Sequence, residues 1–303
     1  MDIVLVHAIQ FRGQPVGAIL SDFKWTATPF VAIFFFMSGY GLIYSLNTKG
    51  QKYLNDFLQR KLLRIVLPFA LWSILYTLVM GGADYSIESW KINYPFLPTG
   101  WFVISIIIYY VAFYISAKTT KNIQTVLVLL TFFTLAYTFL MRRYNWYDYW
   151  WVTTLGINSG MFIAYYEKQI NNIVEKYRKQ IVVILFLIWA STVSSDILIG
   201  YRILNWPIAS LIRYFFIGML FWIIMKSVRI PANSVIKRLG TVSYEIYIVQ
   251  GAVGVFLVHY LYDYGILYFF ATVLVTLFMA YVTKWFCDVT NKVIDEKYLF
   301  DHS

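Results

Sequence analysis

Long apolar runs, broken by short polar segments, constrain this chain more than any motif it carries. The stretch Phe34–Phe69 is the most compressed example, reading FFFMSGYGLIYSLNTKGQKYLNDFLQRKLLRIVLPF. An apolar helix runs into a small Ser38-Gly39 step, a basic cluster follows at Arg60-Lys61 and Arg64, and a new apolar run begins at Ile65. A bilayer core of ~30 Å asks for about 20 apolar residues per helix. In hydrocarbon every backbone group must bond within its own segment or barrel. Barrel strands would be short and alternating, and these runs are not. The expected fold is therefore all-α, a polytopic membrane helix bundle of about ten transmembrane helices with the first incomplete. It forms one domain over residues 1–303, with no separate soluble domain.

The runs place a partial helix ending near Ala8 and full spans at 26–46, 64–82, 100–117, 122–141, 149–166, 180–199, 207–226, 240–260 and 265–287. The opening MDIVLVH reads as the second half of an apolar helix, so an incomplete N-terminus or a misassigned start is expected. No secretory signal pattern is read there. Composition agrees: 60% of residues are hydrophobic, 13% are charged, and the mean hydropathy is +0.64. A soluble domain carries about 25% charged residues. The net charge of +10 sits in the segments between apolar runs, which argues against a nucleic-acid surface. Cys287 is the only cysteine, so no intrachain disulfide forms.

Loop charges give an orientation. With the start of the first helix in the cytoplasm, eighteen of the 25 Lys and Arg residues fall on cytoplasmic loops and the tail, and six fall outside. Basic residues concentrate on the cytoplasmic side of membrane proteins. The expected location is the plasma membrane, multipass, with the basic loops and C-terminal tail cytoplasmic. Trp25, Trp101, Trp146, Trp150, Trp151 and Trp206 fit interfacial aromatic belts.

Few side chains can carry chemistry. His7 lies within an apolar helix, and an ionisable group at that depth is a functional candidate by default. Histidine can take a hydroxyl proton at neutral pH. The alternative is a histidine hydrogen-bonded to a neighbouring helix near the outer interface. Lys61 and Arg64 are three apart and share a helix face, where with Arg60 they could hold phosphate groups. Setting topology and touching anionic lipid would explain the same residues. Ser38, Gly39 and Gly41 read as packing. Trp101, in Thr99-Gly100-Trp101-Phe102, reads as an interface anchor. In Leu239–Tyr247, Ser243 is a candidate cap, Glu245 suits a helix N-terminus, and Tyr244 and Tyr247 offer hydroxyls to a cavity. An outer group of Arg142, Arg143, Asp148, Asp196, Arg202 and Arg213 could meet a polar acceptor such as a sugar, or be ordinary rim charges. No ligand-spaced cluster suggests a metal, since His259 and His302 stand apart from His7.

In order, Ile3-Val4-Leu5-Val6-His7, Phe34–Tyr40, Arg60–Pro68, Gly100-Trp101-Phe102 and Leu239–Tyr247 resemble the membrane acyltransferase-3 family, ten-helix acyltransferases of cell-surface glycans. The resemblance implies an acyl-CoA co-substrate, acetyl-CoA by preference, on the cytoplasmic side, and no permanently bound cofactor. It implies His7 as the base and Arg60, Lys61 and Arg64 as the site for the CoA phosphates. Trp101, Tyr244, Arg142 and Arg213 are candidate substrate contacts. The family's first helix carries an arginine eleven residues before the histidine, a position that would precede Met1. Its Arg-x-x-Arg pair aligns with Lys61 and Arg64, and the histidine that often closes its Ser-Tyr motif falls near Gln250.

The expected function is transfer of an acyl, preferably acetyl, group from acyl-CoA to a hydroxyl of a cell-surface polysaccharide or glycolipid. The expected partners are acyl-CoA, the glycan or glycolipid acceptor and the lipid bilayer, with no nucleic acid. Two rivals remain open from sequence: a transporter or flippase of a lipid-linked or acyl metabolite, and an inactive membrane scaffold. Repeated halves or a broken helix pair would favour a transporter, and neither is read here.

Overall fold

The computed structural model describes residues 2–12, 27–81, 86–92, 96–198, 207–227 and 233–300. Among these residues every regular element is helical. The α-helices are α1 (Asp2–Arg12), α2 (Ala27–Lys49), α3 (Phe57–Met80), α4 (Ile87–Ile92), α5 (Trp101–Thr119), α6 (Ile123–Arg143), α7 (Leu155–Tyr165), α8 (Glu167–Leu198), α9 (Pro207–Ser227), α10 (Ser234–Thr241), α11 (Ser243–Leu261) and α12 (Gly265–Phe300). Short 3₁₀ turns at Gly50–Leu54 and Asp148–Trp150 precede α3 and α7. Among the described residues, six helices are long and apolar enough to cross a membrane: those at Thr28–Leu54, Phe57–Met80, Trp101–Thr119, Ile123–Arg143, Ser243–Leu261 and Gly265–Lys292. The protein is a multipass membrane protein.

Two expected segments differ in the structure, and so does the setting of three tryptophans. The helix expected from residue 64 begins at Phe57, so Arg60, Lys61 and Arg64 lie on the first turns of α3 and not in a loop. The run 149–166 is not one span. A 3₁₀ turn and further turns lead into α7, whose 11 residues rise only ~16 Å at 1.5 Å each. Its sequence is apolar because protein surrounds it: Ile157, Met161 and Ile163 are fully covered. Trp101, Trp150 and Trp151 are likewise buried, at 8%, 2% and 7% exposure, so protein and not an interfacial layer covers these three rings. Trp25 and Trp206 lie outside the described residues.

The chain forms two compact units, one of residues 1–27, 58–107 and 232–303, the other of residues 28–57 and 108–231. In the second unit α2 and α7 cross with their backbones touching. A Cβ on Gly156 would lie 2.6 Å from the Ala32 carbonyl oxygen, and one on Gly160 would overlap the Phe36 carbonyl. Gly39 meets the Ile157 carbonyl in the same way. Small residues permit such close approach where no hydrophobic force draws helices together. Around this crossing Phe36, Ile163, Val174, Leu185, Trp222 and Ile223 form a buried core. Polar groups in it find partners: Thr134 Oγ1 lies 2.8 Å from Asn158 Oδ1, and Ser159 Oγ donates to the Phe215 carbonyl at 2.8 Å.

Helix α8 opens with the polar segment from Glu167 and bends at Tyr177, whose φ of −122° leaves the helical region. The bend separates charged sequence from the apolar run expected at 180–199. At its first residue, Glu167 accepts from Tyr40 at 2.8 Å and pairs with Lys226 at 2.9 Å.

Candidate functional site

In the first unit, α11 is the element on which the others converge. Tyr244, Tyr247, Gly251 and Gly254 follow at three- and four-residue steps, and Gln250 stands three after Tyr247 and four before Gly254, which keeps all five along one side of a helix. Between them they meet three segments, α3, the turn before α5 and α1, and each carries or adjoins a residue singled out from sequence.

At the N-terminal end, Tyr244 Oη donates to the Ile65 carbonyl at 2.7 Å. Ile65 follows Arg64 on α3, and Pro68 sits inside the same helix. Proline has no amide proton, so the Arg64 carbonyl loses its usual partner, and the ring crowds that turn. The tyrosine hydroxyl bonds the next carbonyl along, so it ties α11 to the turn that the proline disturbs. Arg60 and Arg64 are exposed and Lys61 is half-buried.

One turn on, Tyr247 Oη donates to the Thr99 carbonyl at 3.1 Å, and its ring lies edge-on to Phe102 with centroids 4.8 Å apart. Thr99 has φ of +68°, a left-handed conformation unusual for a β-branched residue. That turn starts α5: Gly100 accepts from Val103 at 3.1 Å, and Trp101 follows, buried against Phe102. Gly251 completes the fit, because a Cβ there would come within 2.7 Å of the Pro98 carbonyl oxygen.

His7 lies on α1, and α1 is held against α11 and α12. Tyr268 Oη contacts the carbonyl oxygens of Ala8 at 3.3 Å and Gly254 at 3.2 Å. Phe11 fills the space that Gly254 leaves. Arg12 Nε donates to the Tyr262 carbonyl at 3.2 Å, and the guanidinium sits 6.0 Å from the Tyr262 ring centroid. A cation in the last turn also suits the helix dipole. The imidazole is partly accessible, with its Nδ1 sealed from solvent. Its polar neighbour is Gln250. The two side chains are within interaction range, yet Nδ1 and both amide heteroatoms make no aligned hydrogen bond.

On the far side of α11, Glu245 is buried at 7% exposure, with Lys284 and Asp288 of α12 acting on it electrostatically. Those two residues pair with each other at 2.6 Å. Ser243 does not cap α11: its hydroxyl donates back to the Gly240 carbonyl at 3.0 Å.

His7, Arg60, Lys61, Arg64, Trp101 and Tyr244 all belong to the first unit. Arg142, exposed at the end of α6, and Arg213, half-buried on α9, belong to the second. Arg202 and the side chain of Asp196 lie outside the described residues, as does His302. The residues that sequence reasoning left in the background are Gln250 and Tyr247. Their spacing from Tyr244 was the available signal.

No curated protein and no solved structure matches this chain. A family model described as an acyltransferase domain, Acyl_transf_3, matches residues 3–285. That match runs from the second residue of α1 into α12 and takes in α11 with the segments of α1, α3 and α5 that meet it. The chain belongs to the membrane acyltransferase-3 family.

Proposed function

We propose that this membrane acyltransferase moves an acetyl group from acetyl-CoA to a hydroxyl of a cell-surface polysaccharide or glycolipid, in the plasma membrane. The observation that carries the reading is the convergence on α11. The helix bearing His7, the turn of α3 that follows Arg64 and the start of α5 all meet it within three helical turns. A base and an anion-binding patch fixed to one rigid rod can act on one substrate that spans the distance between them. CoA is such a substrate, with phosphates at one end and a thioester at the other.

In this reading the basic loops face the cytoplasm, as the charge distribution favours. Arg60, Lys61 and Arg64 bind the CoA phosphates, Arg through its planar fork and Lys as a point charge. His7 takes the proton of the acceptor hydroxyl as its oxygen attacks the thioester carbon. The new C–O bond forms, the C–S bond breaks, and the departing thiolate takes up the proton. General-base help is worth roughly 10²–10⁴-fold in rate. Trp101, two residues after the tight turn at Thr99, is left to acceptor contact.

The test uses purified protein in lipid nanodiscs with radiolabelled acetyl-CoA and a de-O-acetylated polysaccharide. Label should pass to the polysaccharide, and His7→Ala should reduce transfer by about 10²-fold or more. Transfer that survives His7→Ala removes His7 as base. Absence of any acetyl-CoA binding rejects the donor.

A further inference from the structure

The His7 environment contains three buried polar atoms that no structural role accounts for. Gln250 is 1% exposed in the middle of α11, with Val249, Gly251 and Ala252 buried around it. Neither its Oε1 nor its Nε2 has a hydrogen-bond partner, and Nδ1 of His7 is in the same condition. A buried polar atom left unpaired is costly, so such groups are nearly always satisfied. A residue needed only for packing at this position would be apolar. The three atoms belong to two side chains that already interact, on two helices held together by Tyr268 and by Phe11 in the space beside Gly254.

Taking His7 as the base, as above, we propose that Gln250 is its positioning residue: Oε1 accepts the hydrogen of Nδ1 and so leaves Nε2 unprotonated to face the acceptor hydroxyl. The assignment follows from the tautomers of imidazole. A neutral ring has one N–H and one lone pair, and the hydrogen bond made by one nitrogen fixes the role of the other. Nδ1 is sealed from solvent, so Nε2 is assigned to the substrate. A base acting through Nε2 needs its proton on Nδ1, and that proton needs an acceptor.

Gln250 from α11 and the Tyr268 hydroxyl from α12 meet α1 around this point. Tyr268 is committed to backbone oxygens of Ala8 and Gly254. Gln250 has an oxygen to spare. Being an amide, it holds the ring without adding charge to a low-dielectric site.

The test reads the ring directly. The chain has 3 histidines, so ¹⁵N-histidine labelling gives a short spectrum in which His7→Ala assigns the His7 signals. In the resting protein His7 should be the Nδ1–H tautomer. Gln250→Met, close in size and apolar, should convert it to a tautomer mixture. With acetyl-CoA and de-O-acetylated polysaccharide, kcat should fall about tenfold, the worth of one lost hydrogen bond, at unchanged KM for acetyl-CoA. Gln250→Glu keeps an acceptor oxygen and should keep the Nδ1–H tautomer. A Gln250→Met protein with the resting tautomer and rate overturns the proposal. So does an equal loss in the Met and Glu variants with His7 unchanged in both spectra, which is the signature of packing alone. If instead His7→Ala remains active, the base assignment fails, whatever Gln250 does.

Discussion

The hydroxyl of Tyr244 lies 2.7 Å from the carbonyl oxygen of Ile65, 179 residues earlier in the chain and next to Arg64. This bond fixes the first turns of α3 to α11, so the basic cluster is presented by a tied helix. It also places a donor beside the backbone that Pro68 disturbs.

Tyr244→Phe should therefore lower stability by about 1 kcal/mol, the usual net worth of such a bond, and should raise KM for acetyl-CoA more than it lowers kcat. Thermal unfolding in nanodiscs and steady-state kinetics check both. An unchanged melting temperature would mean that water or another donor replaces the tyrosine without cost.

Arg64 is exposed, so reversing its charge should not disturb packing. Arg64→Glu should weaken acetyl-CoA binding by about tenfold or more, since hydrogen bonds to charged groups are worth ~1.5–3 kcal/mol. The melting temperature should stay within a degree or two of the parent. Lys61→Arg, which restores a planar fork, should hold or improve affinity. Calorimetric titration measures both. Equal affinity in the parent and in Arg64→Glu would return the cluster to lipid contact.

The membrane class and most helices were legible because hydropathy reports directly on segments that avoid water. His7 and Lys61/Arg64 stood out because ionisable groups are rare in or beside apolar runs. What pattern could not reveal was the role of α11. Its partners lie 148 residues away at Thr99 and 179 at Ile65, and Tyr268 reaches Ala8 across 260. The span expected at 149–166 failed for a different reason. Burial in protein and burial in lipid select the same residues, and only length separates them. Glu245 was placed correctly in a first helical turn, but its burial beside α12 depends on contacts that spacing does not encode.

The α2–α7 crossing separates packing from helix propensity. Gly160→Ala would drive a methyl into the Phe36 carbonyl and should cost about 1–3 kcal/mol, the range for overpacking. Gly41 is on the same α2, yet a Cβ there meets nothing within 4 Å. Gly41→Ala should be neutral or stabilising by up to ~1 kcal/mol, because alanine loses less entropy in a helix. Paired melting curves decide. If both variants lose stability alike, the crossing is looser than described.

Glu167 supplies a pH dependence. Burial alone would raise its carboxyl, but hydrogen bonds from Lys226 and Tyr40, with the Lys226 charge, outweigh that and hold it below its ordinary 4.5. The unfolded chain then takes up the proton at a higher pH than the folded one. This contribution to stability is complete above the ordinary carboxyl value and is lost as pH falls through the depressed one. The pair is partly exposed, so the effect should be modest. Glu167→Gln should be less stable than the parent at pH 7, and the gap should begin to close near pH 4.5 and shrink further below it. Melting temperatures of both proteins from pH 7 down to pH 4 and below measure the gap. A constant difference across that range would show that the carboxylate charge contributes nothing and that the amide loses only geometry.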